Sequence, residues 1–162
     1  MSPPTLSSEH RVLLNSRCDV VVASRNAALQ PSVCWAMAGH VHEDHRSITV
    51  WLRRDQAGDL LPAVQATGMV AAVFCVPLTS VSLQLKGRDA RVRDARQEDA
   101  EMVRSHTRNL VHELALVGFS EAFSRTVFDQ PLDLLLAIEF TVHSLYEQTP
   151  GPRAGQLIDR PT

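Results

Sequence analysis

A chain of 162 residues, 44% apolar and 21% charged, has the make-up of one ordinary globular domain able to bury roughly two thirds of the surface of its unfolded chain. A formal net charge of −2, with no run of like charge longer than Arg53-Arg54, argues against nucleic-acid binding, which normally needs a basic surplus. No stretch approaches the ~18 apolar residues of a membrane helix, and MSPPTLSSEH lacks the apolar centre of a signal peptide, so a cytoplasmic protein is expected.

Residues 1–5 read as a loose tail. Ser7 caps a short helix running to Asn15, which offers Val12, Leu13 and Leu14 to the core. CDVVVA (18–23) is β-branched enough for a strand, Arg25 to Ala28 turns the chain, and 32–41 forms a second strand. There Val33, Trp35, Met37 and Gly39 alternate with Cys34, Ala36, Ala38 and His40. Both sets are largely small or apolar, so both faces are expected to be covered.

A polar hairpin turn, His42 to His45, leads into the third strand, Ile48 to Arg53. The run HVHEDH holds three histidines and two carboxylates, but its spacing is not that of a helical HExxH. A tight turn cannot point all these groups at one ion, so no metal site is expected. A helix follows from about Asp59 to Thr67, with Leu60, Leu61 and Val64 inward and Pro62 in its first turn, where the missing N–H costs little.

Gly68 opens an apolar strand, 69–76, and Pro77 to Ser80 turns into a long strand, 81–92, bent at Gly87 by a bulge or close backbone approach. In it Val81, Leu83 and Leu85 alternate with Ser82, Gln84 and Lys86. The polar row is either a solvent edge or the wall of a ligand site. The clearest helix spans 97–117, with Met102, Val103, Leu110, Val111, Leu114 and Val117 as its stripe and Gly118 ending it. A short helix at 120–127, a last strand at 133–146 and a Pro/Gly-rich tail held as a loop or arm complete the chain.

Cys18, Cys34 and Cys75 lie far apart with no CxxC pair, as expected of thiols in a reducing compartment, with Cys34 and Cys75 as small buried hydrophobes. Six mostly antiparallel strands with a few helices define a mainly-β, α+β class and imply a small closed barrel or strongly bent sheet. There is no GxSxG, no phosphate-cradling glycine loop and no dinucleotide fingerprint, so any redox chemistry must be borrowed from a cofactor.

The succession TVWLRR, a short helix, GMVAAVF, SLQLKGRDARV and a late strand closing on YEQTPGPRAGQ resembles the pyridoxamine 5′-phosphate oxidase-like, FMN-binding split-barrel proteins. The resemblance runs from about Ser16 to Gln156 and rests on the order of several short motifs. It implies a single domain over 1–162, with loose tails at 1–5 and 157–162. It further implies a six-stranded split β-barrel with flanking helices, working as a homodimer with FMN sites between subunits.

By that resemblance the third strand, Thr49, Val50, Trp51 and Leu52, lies along the isoalloxazine. Arg53 and Arg54 hold the phosphate, for which the arginine fork is well shaped. Ser82, Gln84 and Lys86 reach the flavin from across the barrel, and the C-terminal segment brings Gln148 and Arg153. The implied activity is hydride transfer between FMN and a small organic substrate. No catalytic side chain stands out.

Asp55 and Asp59 stand where the oxidases proper have a hydroxyl-rich turn and an Arg-Lys pair, and Gln84 replaces an arginine. A basic C-terminal substrate motif is missing, so pyridoxamine phosphate oxidation is not expected. The alternative is a flavin-free split-barrel dimer acting as a ligand-binding or scaffold protein, with Arg53 and Arg54 paired to Asp55 and Asp59. The resemblance also extends to haem- and deazaflavin-binding relatives, in which His40 or His143 would be the candidate haem ligand.

Overall fold

The computed structural model describes residues 4–158. One antiparallel sheet contains all eight strands: β1 (Asp19–Arg25), β2 (Pro31–Val41), β3 (Ser47–Arg53), β4 (Val70–Cys75), β5 (Ser82–Gly87), β6 (Arg91–Asp94), β7 (Leu135–Thr141) and β8 (Ser144–Glu147). Four α-helices join them: α1 (Ser8–Leu14), α2 (Leu60–Thr67), α3 (Ala100–Leu116) and α4 (Glu121–Phe128). The strand order is β6-β7-β3-β2-β1-β4-β5-β8.

Eight strands arise from the six stretches expected, because two of them break at a corner. The stretch 81–92 divides into β5 and β6, and 133–146 into β7 and β8. β6 pairs with β7 at one end of the order while β5 pairs with β8 at the other. The two edges are therefore linked through the chain itself, and the sheet closes on itself rather than ending in open edges.

The corners are held by specific contacts. The Asp89 carboxylate accepts from the Thr141 N–H at 2.9 Å, and the His143 N–H donates to the Lys86 carbonyl at 2.7 Å. At Gly87 a Cβ would lie 2.6 Å from Cδ2 of Phe140, so the close backbone approach expected there is real and requires glycine.

The barrel interior is filled by the alternate residues of every long strand, among them Val20, Val22, Val50, Leu52, Phe74 and Leu85, and α2 adds Leu60 and Val64. Each large apolar side chain buried this way contributes on the order of 1.5–3 kcal/mol. A bulge between Ala36 and Ala38 inverts the alternation of β2. Met37 and Ala38 consequently share the outer cluster, whereas Gly39 turns inward, where a Cβ would meet Phe74 at 2.6 Å. This corrects the grouping of Gly39 with Trp35 and Met37.

α3 packs on the outside of β2, β3 and β7. Val103 and Leu110, with Phe128 of α4, cover Met37, Trp51, Leu135 and Ala137. Its stripe ends earlier than periodicity implied: Val117 is exposed, and His106, Thr107 and Glu113 are buried on the inward face instead. In α1, capped by Ser7 through the His10 N–H at 3.1 Å, Leu14 is buried but Val12 is 69% exposed.

Leu157 bridges Tyr146, and the Ile158 N–H donates to the Leu145 carbonyl at 2.8 Å, so positions 157–158 are docked on β8 rather than loose. The remaining tail residues, 1–3 and 159–162, lie outside the described residues. Among those described, no helix is long and apolar enough to cross a membrane.

Candidate outer-face site

The outward surface of the first half of β2, with β1, β4, β5 and β8, forms a continuous wall beside α3 and α4, the Trp35 ring lying 6.1 Å edge-on from that of Phe128. Cross-strand register places Trp35, Val21, Val73, Gln84 and Tyr146 in one row. Val33, Ala23, Ala71, Lys86 and Ser144 form the next. The wall is thus apolar from β2 to β4 and polar across β5 and β8. Trp35 is 52% exposed and Val33 67%, a large apolar area for a sheet face left bare.

Local chemistry orients the wall. The Trp35 indole N–H donates to the Asp19 carboxylate. Burial pushes the Asp19 carboxyl above its usual range, and the indole bond opposes that rise. The Lys86 ammonium sits 4.5 Å from the Tyr146 ring centroid. The Gln148 N–H donates to the Ser82 carbonyl at 2.8 Å, and the Gly155 N–H to that of Glu147 at 2.7 Å, which fixes the 148–156 loop beside β5 and β8. Gln84 and Lys86 are half-buried, Gln148 is half-buried nearby, and Arg153 is exposed on the loop.

Other expected contacts are not available in this chain. The Ser82 side chain is buried and its hydroxyl donates to the Ser80 carbonyl at 2.9 Å, so it holds the turn instead of facing a ligand. Val50 and Leu52 point into the barrel core and Trp51 lies under α3. The β3 backbone is bonded on both sides, to β2 and β7. A ligand could therefore meet β3 only across a face and not along a free edge, with Val50 and Leu52 given to the core and Trp51 to the contact with α3. Thr49 is buried too, with its hydroxyl 2.8 Å from His42 Nε2, at a separate cleft of ≈ 560 Å³ lined also by Asp89, Arg91 and Glu139.

Arg53 and Arg54 do not offer free cations. Asp55 takes the Arg53 fork at 2.9 and 2.6 Å, and that bonded guanidinium holds the Asp55 carboxyl below its ordinary range. Arg54 pairs with Asp94 of β6, not with Asp59. Both pairs lie at the surface, so an anion there would compete with Asp55 and Asp94 for these guanidiniums. Arg53 pairs with Leu135 at the start of β7, whereas Gln84 and Lys86 pair with Tyr146 and Ser144 of β8, beyond the corner. One chain therefore brings together Gln84, Lys86 and Gln148 but leaves Arg53 and Arg54 apart from them.

His40 is half-buried with its ring 5.1 Å from that of His42, and burial together with that neighbour lowers its pKa to about 4. His143 is exposed at the corner between β7 and β8. Cys75, expected to be buried, is only half-buried on the outer wall. Among the described residues no three His, Cys, Asp or Glu side chains gather as a metal-binding set. Residues of the wall missed by motif reading are Val21, Val73 and Tyr146. The period-two alternation of β1 and β4 was the signal that marked the first two.

A small closed antiparallel barrel with one bare, apolar-to-polar outer wall is the class of protein these features define. No family model matches the chain, and no curated protein does either. Among solved structures, HupZ of Group A Streptococcus superposes at a TM-score of 0.56 with 13% identity, covering 93% of this chain and 100% of that one. A putative pyridoxamine 5′-phosphate oxidase from Lactobacillus delbrueckii gives 0.54 and 11%, covering 88% and 93%. An F420 reductase gives 0.51 and 11%, covering 86% and 98%. The likeness is one of fold: this chain has the pyridoxamine 5′-phosphate oxidase-like fold that its motifs resemble.

Proposed function

We propose that two copies of this chain pair through the bare outer wall and hold a flavin-type cofactor along its polar margin, forming an oxidoreductase for a small organic substrate. The observation that carries the reading is the row Trp35–Val21–Val73–Gln84–Tyr146. It supplies apolar cover at one end and hydrogen-bonding groups at the other, as a flat heteroaromatic ring requires. Fold neighbours named as a putative pyridoxamine 5′-phosphate oxidase and an F420 reductase support the ligand class, with FMN or a deazaflavin as the member.

When bound, such a ring supplies the hydride-transfer chemistry. The chain's part is to bind and orient it. Gln84 offers both an amide donor and an acceptor for the pyrimidine edge, Val21 and Val73 exclude water from the ring face, and Gln148 and Arg153 border the cleft from the loop. Counted as continuous stretches, the barrel has six staves, two of them bent. Three free thiols among the described residues support a reducing, cytoplasmic location.

The test is direct. Sedimentation should report a dimer, and titration of FMN should quench its fluorescence with a stoichiometry of about one per chain. A monomer at high concentration, or unquenched flavin, overturns the reading. A second reading is favoured by the Arg53–Asp55 and Arg54–Asp94 pairs: a dimer that binds no flavin and serves as a ligand-binding or scaffold protein. A dimer that leaves every flavin unquenched would establish it.

A further inference from the structure

The cations of this chain are unevenly neutralised. Among the described residues eight arginines form ion pairs with carboxylates, Arg53 and Arg54 included. Seven other arginine and lysine residues among those described form none, and the barrel gathers three of them, Arg25, Lys86 and Arg88, at one margin of the bare wall.

Register explains the gathering. Ala23, Ala71 and Lys86 lie in one cross-strand row. Arg25 ends β1 two residues beyond Ala23, and the exposed Arg88 follows Gly87, the last residue of β5, the two strands running in the same direction on either side of β4. The Arg88 carbonyl lies against Gly68, where a Cβ would sit 2.7 Å from it, and the Ala90 N–H donates to the Gly68 carbonyl at 3.0 Å. Arg88 thus stays beside the start of β4 after β5 ends. Two strand spacings, about 10 Å, separate the backbones of Arg25 and Arg88.

Nothing anionic answers these charges locally. Asp89, next to Arg88, accepts from the Thr141 N–H at the corner. Arg25 donates only to the neighbouring Asn26 carbonyl, at 3.4 Å, and Lys86 rests on the Tyr146 ring. Like charges collected without a counter-charge favour binding of a dianion, and two arginine forks with a lysine suit phosphate oxygens.

We infer that Arg25, Lys86 and Arg88 seat the phosphomonoester group of the ligand carried on this wall, in place of Arg53 and Arg54. The identification of that ligand as FMN rests on the reading above; the anion seat rests on the distribution of charge alone.

The test compares FMN with riboflavin, which lacks only the phosphate. Wild type should bind FMN at least ten-fold more tightly. Arg25→Gln/Arg88→Gln should abolish that preference, and Arg53→Gln/Arg54→Gln should keep it. Equal affinity for the two flavins in wild type, or loss of the preference only in the Arg53/Arg54 variant, overturns the inference. If neither flavin binds, the flavin reading fails by itself and the seat is judged by chemistry at Lys86, the chain's single lysine. Pyridoxal 5′-phosphate followed by borohydride should then label Lys86 at least ten times faster than pyridoxal in wild type, and no faster in Arg25→Gln/Arg88→Gln. Equal labelling by the two aldehydes in wild type refutes the seat.

Discussion

The ammonium of Lys86, the only lysine of the chain, stands 4.5 Å from the ring centroid of Tyr146, the only tyrosine. Tyr146 pairs with Gln84 across the β5–β8 ladder, so the two side chains are diagonal neighbours on the outer wall. At a half-buried position such a contact is worth about 0.5–1 kcal/mol. Lys86→Met and Tyr146→Leu should each lower stability to urea by about that amount. A double-mutant cycle should return a coupling below about 1 kcal/mol, and zero coupling would show that the contact is not made in solution.

Pairing through the bare wall predicts a specific sensitivity. Val73 sits at its centre, between Val21 and Gln84, and is half-exposed in one chain. Val73→Asp should leave the fold intact by circular dichroism and convert a dimer into a monomer, read by sedimentation at several concentrations. A variant that stays dimeric places the interface elsewhere.

Two ion pairs on β6 separate buried from exposed electrostatics. Asp99, itself buried, receives Arg93 through both terminal nitrogens at 2.7 and 2.9 Å and the Arg96 N–H at 2.7 Å. Arg93→Ala strands that carboxylate and should cost about 3–5 kcal/mol. Arg54–Asp94 is open to water on both sides, with 53% and 80% of the side chains exposed, so Arg54→Ala should cost less than about 1 kcal/mol. Chemical denaturation of both variants decides; similar costs would contradict the geometry.

His106 predicts how stability varies with pH. It is buried, Nδ1 lies 3.1 Å from the Gly39 carbonyl, and burial lowers its pKa to about 4 from an ordinary 6.5. Between those values the unfolded chain holds the extra proton. The contribution is present in full above about pH 6.5 and is lost as pH falls towards 4, about 3 kcal/mol in all. His106→Gln should flatten the stability–pH curve in that window by about one proton. An unchanged slope would mean that His106 titrates normally.

Glycine at the two tight approaches is a steric necessity. Gly39→Ala would place a methyl 2.6 Å from the Phe74 ring and Gly87→Ala one 2.6 Å from Phe140, both within the packed barrel. Each should lose about 1–3 kcal/mol in thermal or urea unfolding, since a core side chain must leave its rotamer. Wild-type stability in either variant would show that the rings yield freely.

Much of the fold was legible because its signals are local. β-Branched residues, apolar runs or alternation marked the six strand stretches, Gly68 marked the start of one of them, Gly118 marked a helix end, and Pro62 placed the first turn of α2. The corners that turn six stretches into eight strands were only half legible. Gly87 announced a bend, but pairing β5 with β8 and β6 with β7 depends on residues some forty to sixty positions away. The candidate site was less legible still. The polar row was visible, but not that Ser82 would spend its hydroxyl on Ser80, nor that Arg54 would find Asp94.

The sequence by itself determined the element types, the inward and outward faces of β5, and the likeness to a fold class, whereas 69–76, read as buried on both faces, has one face half-exposed. Periodicity and turn chemistry are properties of adjacent residues. Only the tertiary structure decided that β3 is flanked by β2 and β7 with its inner face in the core, that Arg53 and Arg54 find Asp55 and Asp94, and that Arg25 and Arg88 fall on either side of the start of β4. Those outcomes depend on which strands become neighbours when the sheet closes, and closure is set by contacts between segments that no local pattern connects.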